Sequence, residues 1–183
     1  MSEKQFVLYS APTLAGIKTG NLFSVTYDDR RSFMNEIRDL NRVLVPKGIR
    51  VIPLKEIENK FLVYVYRPGS LQIDFHNELL KYILSELNYP ISNADQCVVH
   101  LVKRLHESEK FPHEIGLFLG YSPEDVKGFI DNKAQNHKRV GAWKVYGDEQ
   151  EAVRTFSGFQ KCTSDYCLRV EQGITVEQLA VVL

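Results

Sequence analysis

GIRVIPLKEIENKFLVYVYR, residues 48–67, is the stretch that decides the fold class. Its two ends, GIRVIPL (48–54) and FLVYVYR (61–67), are rich in β-branched and aromatic side chains, which pack well on a pleated surface. The polar KEIENK between them is far too short for a crossover, so the two strands pair antiparallel. Upstream, residues 29–45 (DRRSFMNEIRDLNRVLV) place Phe33, Ile37, Leu40 and Leu44 at spacings of three and four. That is the apolar stripe of an amphipathic helix, with Asp28 or Asp29 as its cap and Pro46-Lys47-Gly48 as its end. Downstream, residues 70–87 (SLQIDFHNELLKYILSEL) read as a helix capped by Ser70. Ile73, Leu80, Leu84 and Leu87 share its face, and Asn88-Tyr89-Pro90 closes it. The order is helix, strand, strand, helix.

Working outward, residues 5–9 form a short apolar run readable as a strand. Ala11–Lys18 follows as a short helix, with Ser10 as cap and Pro12 in the first turn. Beyond Pro90 the chain is mostly helical. Residues 94–107 carry Val98, Leu101, Val102 and Leu105 on one stripe, and FPHEIGLFLGYSPEDVKGFI (111–130) reads as two short helices with a punctuated joint. Gly120 is the expected left-handed residue at that joint, and Ser122 and Pro123 open the next helix, with Val126, Phe129 and Ile130 turned inward. Residues 143–146 form a short extended piece. Residues 148–172 form a long helix capped by Asp148, with Gly158 as its weak point, and Gly173 precedes a short final helix. The expected fold is α+β: a small, mostly antiparallel sheet, extended by the N-terminal strand or by 143–146, covered by helices, with a predominantly helical C-terminal half. Residues 1–183 are expected to form a single compact domain, with an α/β unit over 1–90, a helical unit over 91–183, and a seam at Pro90–Asn93.

Composition narrows the function classes. The chain has 183 residues, a formal net charge of zero, 44% apolar and 25% charged side chains, all ordinary for a globular domain. No stretch is basic enough to make nucleic acid an expected partner. No apolar run approaches the roughly 18 residues of a membrane helix, and the N-terminal apolar run is too short for a signal peptide, so a cytoplasmic chain with no membrane partner is expected. Three sparse cysteines (Cys97, Cys162, Cys167) argue for reduced thiols over a disulfide framework. His100 and His106 are six apart, and no His-Glu-x-x-His occurs, so no metal site is assigned.

Three segments carry candidate chemistry. The helix pair at 111–130 admits a structural corner, a DNA-reading helix-turn-helix, or a ligand site built on His113 and Glu114. The second helix offers Lys127 against acids at 124, 125 and 131, which disfavours the DNA version. His113 suits hydrogen bonding or proton transfer near neutral pH, and Glu114 suits the positive end of a helix. SAPTLAGIKTGN (10–21) has the layout of an anion cradle around Lys18 without the phosphate-loop consensus. GAWKVYGD (141–148) groups Trp143, Lys144 and Tyr146 between two glycines. It reads either as a pocket lining or as a strand that buries Trp143 and Val145 and turns Lys144 and Tyr146 to water.

Taken together, FPHEIGLFLGYSPEDVKGFI, GAWKVYGD and APTLAGIK resemble the bacterial family known as domain of unknown function 3793, over about Phe6 to Leu179. The resemblance implies a cytoplasmic bacterial protein. It brings no activity, cofactor or catalytic residue. The reading that follows is a protein that binds a small molecule or anion, with catalysis left open and a site drawn from Lys18, His113, Glu114, Trp143, Lys144 and Tyr146. The alternative is a regulatory or protein-interaction module built on the helix pair.

Overall fold

The structure is a computed structural model that describes residues 1–108 and 111–183. Contacts group it into two units. One combines Met1–Gly69 with Phe159–Leu183, and the other is Ser70–Gly158. Pro90–Asn93 lies inside the second unit, as the turn between two of its helices.

The first unit opens with helix α1 (Glu3–Leu14), capped by the Ser2 hydroxyl, which accepts from the Gln5 N–H. Residues 5–9 are thus helical, not a strand. Phe6, Val7, Ser10, Ala11 and Leu14 are all buried, and their spacing is the helical period on a core face. Ser10 is not a cap, since its Oγ donates to the Phe6 carbonyl within the helix at 2.6 Å. The third strand comes instead from β1 (Gly20–Thr26), which pairs with the expected hairpin, β2 (Arg50–Ile57) and β3 (Lys60–Tyr66). The sheet is antiparallel throughout, in the order β1-β3-β2. Most of KEIENK is itself strand, and the turn is only Glu58–Asn59.

Helix α2 (Arg30–Leu44) is capped by Asp29 and continues into a single 3-10 turn, Val45–Lys47. From α2, the Asn41 amide donates to the Val51 carbonyl and accepts from the Val51 N–H, at 2.7 and 2.9 Å, which closes that stretch of the outer edge of β2. Phe61, Val63 and Val65 of β3 turn one face of the sheet to α1 and α2. With Phe6, Leu14, Phe33, Ile37, Tyr166 and Leu179 they form one continuous core. Each such side chain contributes about 1.5–3 kcal/mol on burial.

The second unit holds α4 (Glu78–Glu86), α5 (Ala94–Glu107), α6 (Ile115–Phe118) and α7 (Pro123–Asp131), preceded by α3 (Pro68–Asp74), in which the unit boundary falls. The expected single helix over 70–87 is therefore two. Asn77 interrupts it, because its side chain accepts from the Leu80 N–H and starts a new helix. Ser70 lies inside α3, and Ile73 is 69% exposed, while Leu71 and Phe75 take the core positions. Gly120 ends α6 with a φ of +73°, as the punctuation requires, and Ile130 lies at the surface, not inside. Residues 143–146 do not extend the main sheet. Among the described residues, strand β5 (Lys144–Val145) pairs only with β4 (Arg139–Val140). Helix α8 (Glu149–Glu171) runs unbroken through Gly158, where the grouping changes, and α9 (Val176–Leu179) ends the chain with a Thr175–Gln178 capping box. Among the described residues, no helix is long and apolar enough to cross a membrane.

Candidate functional site

Two of the sequence candidates, Trp143 and Tyr146, meet in the second unit at a residue the sequence did not single out. Asp125, in the first turn of α7, is 3% exposed. Its Oδ2 accepts from the Trp143 indole N–H at 2.6 Å, and its Oδ1 accepts from the Tyr146 and Gly147 backbone N–H groups at 2.7 Å each. A carboxylate can be buried only when it is supplied with donors, and three N–H groups supply this one. Trp143 is fixed in addition by a stack on Tyr121 at 4.4 Å and an edge contact with Phe156 at 4.5 Å. It is therefore a packing residue of the α7–β5 joint.

Lys144 and Tyr146 are half-buried and do not simply face water. The Tyr146 ring lies against the α7 backbone at Gly128, where a Cβ would come within 2.5 Å of it, so only glycine fits there. Tyr146 Oη donates to the Gln135 carbonyl and Lys144 Nζ to the Ala134 carbonyl, both at 2.9 Å. These bonds tie down a loop in which Lys133, Ala134 and Asn136 have φ of +48°, +64° and +58°. Each costs on the order of 1–3 kcal/mol outside glycine. Within the same loop, His137 Nδ1 is shut away without a hydrogen-bond partner among the described residues.

Phe129 of α7 brings two candidates together. The exposed His113 ring meets it edge-on at 5.0 Å, and Lys144 Nζ lies 5.8 Å from its centroid. Lys144 spends one of three N–H groups on Ala134, and His113 has no hydrogen bond among the described residues. Glu114 takes a separate path from its neighbour. It is 3% exposed, stands at the start of α6 without capping it, and accepts from Tyr89 Oη at 2.9 Å and from Arg104 Nε at 2.7 Å, all on Oε1. Burial, and then the Glu114 charge, push the Tyr89 phenol well above its ordinary pKa. Lys18 belongs to the first unit. It is half-buried, with Nζ 5.5 Å from the Phe159 centroid, and loss of solvent lowers its pKa to about 8.

The model of the family described as "Protein of unknown function (DUF3793)" matches residues 6–180. The chain belongs to the DUF3793 family. No curated protein and no solved structure matches it.

In this DUF3793 chain the sequence also passed over Tyr89, Arg104 and Arg67. The first two lie 25 and 10 residues from Glu114, so no local pattern joins them. Arg67 did leave a signal, as a single charge closing the run FLVYVY. It is 2% exposed, and its guanidinium donates to the carbonyls of Thr13, Leu14, Lys47 and Val181. The cysteines are free thiols. Burial raises Cys97 and Cys162 to about 11 and lifts Cys167 above its usual value, so none of the three is held as a thiolate at neutral pH.

Proposed function

We propose that this DUF3793 protein binds a small anionic ligand through the second unit, on the surface around Phe129. One observation carries the reading: two basic side chains, His113 and Lys144, approach the same aromatic ring and keep unspent N–H groups. An ammonium and an imidazole beside an apolar face are a common way to hold a carboxylate or phosphate attached to an organic body. The positive-φ loop supports the reading, since backbone strain of this kind collects at ligand sites. In this reading Tyr146 shapes the loop, Glu114 and Trp143 act as supports, and Lys18 takes no part.

The only tryptophan, Trp143, adjoins Lys144 and serves as the reporter. Titration with inorganic phosphate, acetate and phenyl phosphate, followed by Trp143 emission and calorimetry, should give a saturable response. Phenyl phosphate should bind tightest, because it adds an aromatic contact. His113→Ala and Lys144→Met should each weaken it about tenfold, the loss of one charge-assisted hydrogen bond. The reading fails if no probe saturates below about 10 mM, or if both variants bind like the parent chain.

A further inference from the structure

A second cluster in the same unit is built around an arginine that nothing above employs as a binding group. Arg104, on α5, has its Nε fixed on Glu114 Oε1 at 2.7 Å, and its guanidinium carbon lies 5.7 Å from the Tyr89 ring centroid. Both supports are themselves fixed. Glu114 is 3% exposed, Tyr89 is 5% exposed, and the Tyr89 hydroxyl donates to the same carboxylate oxygen. The arginine side chain is one-third exposed. Its two Nη groups carry no hydrogen bond to any described residue, so the outer side of the fork is unspent. His100 lies one helical turn earlier, on the same face of α5, with its ring 4.4 Å from Tyr89. It too has no hydrogen bond among the described residues.

We infer that Arg104 and His100 form an oxyanion site, in which the Arg104 Nη pair donates to the two oxygens of a carboxylate or phosphate and His100 donates from the side. The physical reason is pre-organisation. An exposed arginine gives up rotamer freedom to bind a two-oxygen ligand. Here Glu114 and Tyr89 have already removed that freedom, while leaving the ligand-facing donors open. Arginine–carboxylate pairs are frequently bidentate, with two donors of the fork facing the acid. This one uses Nε alone. Glu114 and Tyr89 are positioning residues, and Arg104 and His100 make the contact.

The test is a titration of the full chain with inorganic phosphate and with benzoate, followed by the side-chain 15N resonances of Arg104 and His100. Both should shift and saturate, and the tighter probe identifies the preferred oxyanion. Arg104→Lys keeps the charge beside Glu114 but loses the fork, and should weaken binding about tenfold at an unchanged melting temperature. Glu114→Gln should weaken it as well, by freeing the arginine. If Arg104→Lys lowers the melting temperature, His100→Ala decides, with a loss of about threefold expected. Absence of a saturable shift up to about 20 mM of either probe, or Arg104→Lys and His100→Ala both binding like the parent, overturns the assignment. Lys144→Met should leave these resonances and their midpoint unchanged, so this site and the Phe129 surface stand or fall separately.

Discussion

Replacing Arg67 with methionine should destabilise the first unit although it removes a buried charge. Arg67 is 2% exposed and forms no ion pair with a described carboxylate. In place of a counter-ion it has carbonyls. Thr13 and Leu14 end α1, Lys47 ends the 3-10 turn, and Val181 lies in the last residues of the chain. The ends of helices carry partial negative charge, so these groups together stand in for an acid. Exchanging a buried ion for a hydrophobe is often neutral or favourable, because its desolvation is relieved. Here the acceptors stay behind. The Thr13 carbonyl also receives the Gly16 N–H, and the Leu14 carbonyl receives the Val181 N–H. The carbonyls of Lys47 and Val181 have no other donor among the described residues. Each orphaned acceptor costs about 1–3 kcal/mol, and both are only part-buried, so the low end applies and the total is about 2 kcal/mol. For a chain of this length that corresponds to a melting temperature lower by about 4–8 °C. Arg67→Lys, with three N–H groups but no fork, should lose about half as much. Urea unfolding followed by circular dichroism measures both. An Arg67→Met variant within about 0.5 kcal/mol of the parent, or more stable than it, would refute the claim that carbonyls serve as the counter-charge.

Three further outcomes are expected. Asp125→Ala strands the indole N–H of Trp143 and two backbone N–H groups, so it should cost about 3 kcal/mol and shift Trp143 emission to the red. Gly128→Ala drives a methyl group to within 2.5 Å of Tyr146 Cβ and Cγ and should cost about 1–3 kcal/mol in thermal unfolding, with more of it recovered by Tyr146→Gly than by Tyr146→Ala, because alanine keeps the clashing Cβ. In a 13C-methylated sample Lys18 should titrate near pH 8, apart from the other lysines. Because its folded pKa lies below the unfolded value of 10.5, the unfolded chain holds more protons between those limits. The parent should therefore gain stability relative to Lys18→Met as pH rises from 8 to 10.5, and a flat difference would contradict a desolvated ammonium.

What the sequence disclosed was local. Helix α2 was legible because Phe33, Ile37 and Leu44 repeat at the helical period behind a capping Asp29, and the hairpin because its strands are neighbours along the chain. Residues 5–9 misled, because a short apolar run looks the same whether it enters the core as a strand or as one face of a helix. Only the Ser2 cap and the burial of Ala11 and Leu14 beyond the run separate the two. Helix α3–α4 was read as one because an asparagine inside an apolar stripe resembles a solvent-facing position until its side chain is seen to cap. The site was half legible. His113, Lys144 and Tyr146 carried visible chemistry, but Glu114 and Trp143 acquire their roles from Arg104, Tyr89 and Asp125, at separations of 10, 25 and 18 residues. Pairings at that distance depend on the helices having already packed, and no spacing rule expresses them.

Because Ser70–Gly158 interrupts the first unit, the residues of the second unit are all in hand before those of the first. During synthesis the strands β1 to β3 emerge early, yet Tyr166, Val176 and Leu179 of their core are made last. The Val181 carbonyl that receives Arg67 comes later still. The second unit has all of its residues once Gly158 has been added, while the first still waits with its arginine uncapped and part of its apolar face open. A nascent chain of this protein therefore passes through a stage in which the sheet lacks part of the core that covers it in the finished structure. Loss of even the last few residues would be felt at the opposite end of the sequence, at the close of α1.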